Sequence, residues 1–359
     1  MRRRLLLGLL AIGAGTIGVV IGVGVGLPHL AKAGWSVATL VGLAFLGGGA
    51  ALMAVGFRQV FGATHRPVRW LLVPLTLVVL AGGLLTLGQA LAATWVPPIA
   101  LGGRTPDDVG LAAEDVVLET ADGVALAGWY APGPNGAAVV LAHGAGSTRT
   151  AVLDHAAVLA DHGYGVLLVD ARGHGASGGR AMDLGWWGDE DLGAAVDFLV
   201  GEAGIDAGRI GLLGLSMGGE EAIGAMAADE RVGAVVAEGA TVRVAADKDW
   251  LSDEYGWRGA LQERLEGATT WWADRFTGAD PPGSLRDAVA AAAPRPVLLI
   301  AAGAVADEAR AGEFIRGGAP DSVTLWEVSG ADHTGGLRTE PDEWEQRVVA
   351  FLDGALDPA

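Results

Sequence analysis

The stretch "RIGLLGLSMGGEEAIGAMAAD", residues 209–229, changes character in mid-course. "RIGLLGL" is an apolar run of strand length, while "GGEEAIGAMAA" is rich in helix formers at helical spacing. Between them Ser216 is framed as Gly214-x-Ser216-x-Gly218. A serine on a sharp strand-to-helix bend presents its hydroxyl at the end of the strand, beside the free N–H groups of the next helix. The flanking glycines keep larger side chains from clashing with strand and helix. A second match, "GASGG" around Ser177, leads into "GRAMDLGWW" with no helix start and reads as a loop.

Charge divides the chain. Residues 1–94 hold seven basic side chains (Arg2, Arg3, Arg4, Lys32, Arg58, Arg66 and Arg69) and no Asp or Glu. Taking these seven from the net charge of −18 leaves −25 for residues 95–359. So acidic a body repels phosphate backbones, which argues against a nucleic-acid partner. Without cysteine there is no disulfide, thiolate chemistry or cysteine-ligated metal. The seven histidines lack paired ligand spacing, and the expectation is no metal.

Three uncharged apolar runs, 5–27, 34–57 and 70–94, each exceed the roughly 20 residues that cross a hydrocarbon core of about 30 Å. Trp35, Trp70 and Trp95 lie at run ends, where indole favours the interface. Gln89 inside the third run is tolerable against a neighbouring helix. Gly18, Gly22 and Gly26 form a small-xxx-small stripe that either packs helices or reflects the abundance of glycine. Arg2–Arg4 precede the first run, and Arg58, Arg66 and Arg69 surround the loop between the second and third. Only Lys32 lies between the first and second. The positive-inside rule then puts the N-terminus and second loop in the cytoplasm, and everything after Trp95 outside. A signal peptide cut after Ala33 is the alternative for the first run; it too leaves the C-terminal body outside.

After a polar connector, 95–114, apolar runs of strand length alternate with helical segments. Strands are expected near 116–120, 126–130, 137–142, 165–170, 210–215, 232–238, 297–302 and 323–328. Helices are expected near 152–161, 190–200, 219–228, 307–316 and 343–352. This pattern predicts an α/β domain over 115–359, with a mostly parallel eight-stranded sheet, flanking helices and an antiparallel hairpin at its front. Residues 241–296 make an unusually long connection that carries Trp250, Trp257, Trp271 and Trp272. It reads as a helical insertion with its own small core, as a cap over a site, or as both.

On four elements in order the body resembles the α/β-hydrolase superfamily. They are "LAHGAGS" with His143–Gly146, "DARGHGASGG", the Ser216 turn and "GADHTGGL" near the end. The resemblance implies a serine nucleophile, an acid and a histidine base in that chain order. Only His333 lies beyond the Ser216 turn, and it becomes the base. The acid is expected after the seventh strand, where "VLLIAAGAVADEAR" offers Asp307, favoured, and Glu308. The usual G-x-x-D spacing would fall on Ala306. Glu238 is an outside candidate, and Asp332 reads as a solvated loop charge. His143 would shape the oxyanion turn, and His174 would be structural.

In the implied mechanism His333 takes the Ser216 proton and Asp307 fixes its tautomer. Ser216 attacks an acyl carbon while the Ala145 and Met217 N–H groups receive the oxyanion, and no cofactor is needed. The expected protein is a membrane-anchored serine hydrolase acting on an ester, thioester or amide of a small-molecule or lipid-like acyl substrate. An acyltransferase, a peptidase, a non-catalytic receptor or scaffold of the same fold, and a channel or transporter with an attached domain are the alternatives.

Overall fold

The structure is a computed structural model that describes residues 2–357. It divides into two compact units, Met1–Pro97 with Ala260–Gly278, and Pro98–Gly259 with Ala279–Ala359. The boundary falls three residues after the expected 94/95, and the middle of the 241–296 insertion belongs to the first unit.

In the first unit the three apolar runs form helices α1 (Arg2–Ala33), α2 (Val37–Ala63) and α3 (Arg66–Thr94), each long and apolar enough to cross a membrane. All three extend past the uncharged runs, because Arg and Lys at helix ends keep helical conformation while their long side chains reach outward. Ser36 caps α2 by accepting the Thr39 N–H at 3.1 Å. Backbone contact decides how α1 meets α2. A methyl group at Gly15 would come within 2.6 Å of the Gly49 carbonyl oxygen, one at Gly56 within 2.6 Å of Gly8 O, and one at Gly42 within 2.3 Å of Gly26 Cα. The contact line thus sets Gly8 against Gly56, Gly15 against Gly49, Gly22 against Leu46 and Gly26 against Gly42. Of the expected stripe, Gly22 and Gly26 meet α2 backbone at under 3.0 Å, while Gly18 approaches Gly49 Cα at 3.1 Å.

In the second unit eight strands form one sheet: β1 (Glu114–Glu119), β2 (Ala125–Ala131), β3 (Ala138–Ala142), β4 (Gly165–Val169), β5 (Ile210–Leu215), β6 (Val232–Glu238), β7 (Val297–Ala302) and β8 (Val323–Val328). Their order is β1-β2-β4-β3-β5-β6-β7-β8, with β2 antiparallel to both neighbours and the rest parallel. The inner strands β3 to β7 are almost wholly buried, which is why they read as continuous apolar runs.

Helices α4 (Leu153–Asp161), α5 (Gly188–Gly201), α6 (Met217–Ala228), α9 (Leu285–Ala292), α10 (Glu308–Arg316) and α11 (Pro341–Leu356) cover both faces, and the insertion forms α7 (Leu251–Tyr255) and α8 (Trp257–Phe276), most of the latter belonging to the first unit. Along β3, Ala138, Val140 and Ala142 join the core under α5, α6 and α9. Val139 and Leu141 join the core under α4 and α11. Each fully buried Leu or Val contributes about 1.5–3 kcal/mol relative to exposure, so the two layers fix the register of the sheet. The parallel strands all end on the side where β5 turns into α6, and the loops there carry the candidate site.

The α1–α2 contact predicts that Gly49→Leu destabilises the first unit by about 1–3 kcal/mol, the range for overpacking. Gly13→Leu, where nothing lies within 4 Å, is the matched control. Thermal unfolding of the full chain in detergent should separate them, and equal midpoints would remove this packing account.

Candidate active site

Ser216 sits between β5 and α6 with φ 54° and ψ −119°, a left-handed conformation that a serine adopts only under constraint. The constraint is backbone packing. A Cβ at Gly214 would lie 2.1 Å from Gly218 O, and one at Gly218 would lie 2.5 Å from Ala142 O, so neither position accepts a side chain. The Ser216 N–H donates to Glu238 O at 2.7 Å, and its carbonyl accepts from Gly219 N–H and Glu220 N–H at 2.9 and 3.1 Å. The first N–H groups of α6, starting with Met217, have no intrahelical acceptor.

The loop from β3 closes on the same point. A Cβ at Gly144 would be 3.3 Å from Ser216 Cβ, so the residues leading to Ala145 run beside the hydroxyl. His143 holds this turn from behind. Its Nδ1–H donates to Gly144 O at 2.9 Å, and its Nε2 accepts the Ala171 N–H at 3.1 Å. Burial drives its pKa down to about 3, so the ring is neutral. His174 lies against it, ring centroids 5.1 Å apart, with Nδ1 3.1 Å from Arg172 O. Ser177 donates to Asp170 O at 2.6 Å and accepts from Ala127 N–H at 2.8 Å, a structural use of its hydroxyl within the loop.

His333 stands across the bend. Its Nε2 is 2.8 Å from Ser216 Oγ, and its Nδ1 is 2.6 Å from Glu308 Oε1. A carboxylate only accepts, so Nδ1 carries the proton and Nε2 is left to accept from the serine. Glu308, 3% exposed, is fixed at its other oxygen by the Ala302 N–H. The expected acid was Asp307, and the structure places its neighbour on the histidine. Asp307 has φ 70°, and this left-handed bend turns its carboxylate outward, where it accepts the Tyr255 hydroxyl and lies 4.0 Å from Arg310 Nε. Glu308, as the first residue of α10, points back into the site with the extra reach of a methylene.

Glu238 is not on the histidine ring. It accepts the Gly336 N–H at 2.7 Å and the Trp344 indole N–H at 3.0 Å, tying the histidine loop to the end of β6. Glu220, missed in the sequence, accepts the Thr241 and Val242 N–H groups and so holds the loop after β6. Burial raises its pKa to about 7. Asp332 pairs with Arg338 at the surface. Among the described residues no group of three His, Cys, Asp or Glu side chains is arranged to hold a metal.

A serine, a histidine and a carboxylate are thus linked at a nucleophile bend above a mostly parallel sheet, which defines an α/β-hydrolase fold. The chain's sheet order and flanking helices are those of the α/β-hydrolase fold. Residues 133–275 match the family described as serine aminopeptidase, S33, a span that includes Ser216 and ends before Glu308 and His333. An esterase of Pyrococcus furiosus superposes with a TM-score of 0.57 at 25% identity, covering 73% of this chain and 98% of its own. Over 116 residues the chain is 39% identical to an uncharacterized protein of Mycobacterium tuberculosis, covering 32% of this chain and 41% of that protein. Over 137 residues it is 38% identical to the thiohydrolase aneE of Aspergillus aculeatus, covering 37% of this chain and 43% of the relative. The chain therefore spans about two fifths of the length of these curated relatives.

The hydrogen bond to Glu308 is the largest cause that raises the His333 pKa above its ordinary value. A base must be neutral to accept a proton, so kcat/KM should rise with pH through a limb above about 6.5. Glu308→Gln should cut turnover by about 10³–10⁴-fold, as when a triad acid becomes an amide, and move this limb down. Asp307→Asn, which alters one exposed hydrogen bond worth about 1 kcal/mol, should cost less than about tenfold. Equal losses in the two variants would overturn the assignment of the acid.

Proposed function

We propose that this chain is a membrane-anchored serine hydrolase that cleaves an ester, thioester or amide through an acyl-enzyme on Ser216. The observation that carries the reading is the unbroken hydrogen-bond chain from Ser216 Oγ through His333 to Glu308, 2.8 and 2.6 Å long. His333 Nε2 takes the hydroxyl proton as Oγ attacks the acyl carbon. Glu308 holds the ring in the tautomer that accepts, and stabilises the imidazolium. The Met217 and Ala145 N–H groups receive the oxyanion, each such donor contributing about 3–4 kcal/mol in comparable sites. The imidazolium returns the proton to the departing alcohol, thiol or amine. Water, deprotonated by the same ring, then releases the acid and frees Ser216.

Relatives named as an esterase and a thiohydrolase favour oxygen and sulfur leaving groups within this range. Two features favour a lipid-like acyl chain: the apolar anchor and the tryptophans of the insertion. The anchor reading rests on three helices of sufficient length and apolarity. The backbone-tight seating of α1 on α2 supports α1 as a retained span in preference to a cleaved signal peptide. The distribution of Arg and Lys supports a catalytic unit outside the cytoplasm.

A fluorophosphonate probe applied to membranes should label the wild type and leave Ser216→Ala unlabelled. An unlabelled, folded wild type would reduce the chain to a non-catalytic member of its fold. For orientation, alkaline phosphatase fused after Trp95 should be active and fused at Thr64 inactive; the reverse would put the catalytic unit inside.

A further inference from the structure

Between the end of α2 and the first half of α3 lies an open-sided cavity of about 760 Å³. Phe61 forms one wall. The other is a single face of α3 bearing Arg66, Arg69, Trp70, Val73, Pro74 and Leu77, spaced at helical intervals. These eleven steps span about 16 Å at 1.5 Å per residue. The chemistry changes in order along this face, from two guanidinium groups, to an indole, to aliphatic carbon.

Several observations point to an anion at the charged end. Arg69 donates to the carbonyls of Phe61 and Thr64 through one terminal nitrogen and lies 5.7 Å over the Phe61 ring, while its Nε is buried with no partner. Arg66 is exposed and makes no hydrogen bond or ion pair among the described residues. Both lie in the first turn of a long helix, where unpaired N–H groups add positive potential. Residues 1–94 contain no carboxylate that could neutralise them. At the other end Trp70, 82% exposed, gives way to Val73 and Leu77, both exposed apolar side chains. Loop arginines that only set topology need neither an orphaned nitrogen nor an apolar trough running on from them.

We propose that this groove binds one anionic phospholipid, with its phosphate between Arg66, Arg69 and the α3 N-terminus, its glycerol region at Trp70, and an acyl chain along Val73 to Leu77. Basic pockets between spanning helices recognise acidic head groups by this combination of charge and apolar wall. The inference rests on the membrane reading above.

The test uses the full chain, delipidated in mild detergent and offered phosphatidylglycerol, phosphatidylcholine or inorganic phosphate. Retention is read by native mass spectrometry. Phosphatidylglycerol should be retained over phosphatidylcholine, and inorganic phosphate at millimolar concentration should not displace it. Arg66→Gln should lower that preference about fivefold, the effect of one cationic side chain at an anionic lipid surface. Arg58→Gln, which removes the same charge from the same end of α2 outside the groove, should leave it unchanged. Fluorophosphonate labelling of both variants confirms that they fold. Equal retention of the two lipids, displacement by phosphate, or equal losses in the two variants would each overturn the proposal. Release of the chain from membranes by alkaline carbonate would instead overturn the membrane reading and this proposal with it. A chain that stays in the bilayer but shows no lipid preference overturns this proposal alone.

Discussion

The close approach of α6 to β3 and β5 is the contact on which the catalytic unit depends. With no Cβ at Gly214 or Gly218, the start of α6 rests directly on the backbone of the strands. That contact forces Ser216 into its left-handed conformation at the start of α6, where the first N–H groups have no intrahelical acceptor. Among the described residues only three non-glycine positions have positive φ, namely Ser216, Asp307 and Thr334. One is Ser216 itself, one precedes Glu308 and one follows His333. Each such conformation costs about 1–3 kcal/mol and persists only where its surroundings over-determine it. Here the bond from Ser216 N–H to Glu238 O ties the serine to β6, and bonds from Gly303 N–H to Val328 O and Ala304 N–H to Ala331 O join the loops after β7 and β8.

Three glutamates meet around the histidine, and their partners separate their roles. Glu308 bonds the ring itself, Glu238 bonds the backbone of the loop that bears it, and Glu220 bonds the loop after β6. All three also act on the His333 charge and favour the imidazolium, with Glu308 first. The same arrangement therefore makes the neutral ring scarcer at low pH. Burial raises Glu238 and Glu220 toward neutrality, which moderates the repulsion among carboxylates this close.

The sheet was legible in the sequence because buried parallel strands are apolar runs bounded by turns, and all eight fall within two residues of their expected limits. Ser216 was separable from Ser177 by context alone, since only one has a strand before it and a helix after it. The acid was not separable. Asp307 and Glu308 are adjacent, and which one faces His333 turns on the φ of one residue, a backbone property that no side-chain pattern encodes. The division of the insertion was hidden for a related reason. Its tryptophans announce burial or an interface, but residues 260–278 find their partners among helices nearly two hundred positions earlier. Likewise the Gly18, Gly22, Gly26 stripe was visible on α1, while the continuation of the contact line through Gly8 and Gly15 becomes apparent only beside its counterpart on α2.

Glycine then has one meaning in both units, though the surroundings differ. Close van der Waals contact between α1 and α2 needs positions where backbones can touch, and in a bilayer, where apolar helices gain little hydrophobic energy from association, it would be what holds them together. In the catalytic unit the hydrophobic layers already hold α6 to the sheet. There the missing side chains at Gly214 and Gly218 serve geometry, bringing a helix terminus near enough to a strained serine to act on it. Gly49 against Gly15 and Gly218 against Ala142 are the same short contact. The first stabilises a pair of helices, and the second accepts strain to place a reactive group. Much of what distinguishes the 58 glycines of this chain from a flexible, low-complexity composition lies in such contacts. The sequence is rich in glycine where two backbones must meet.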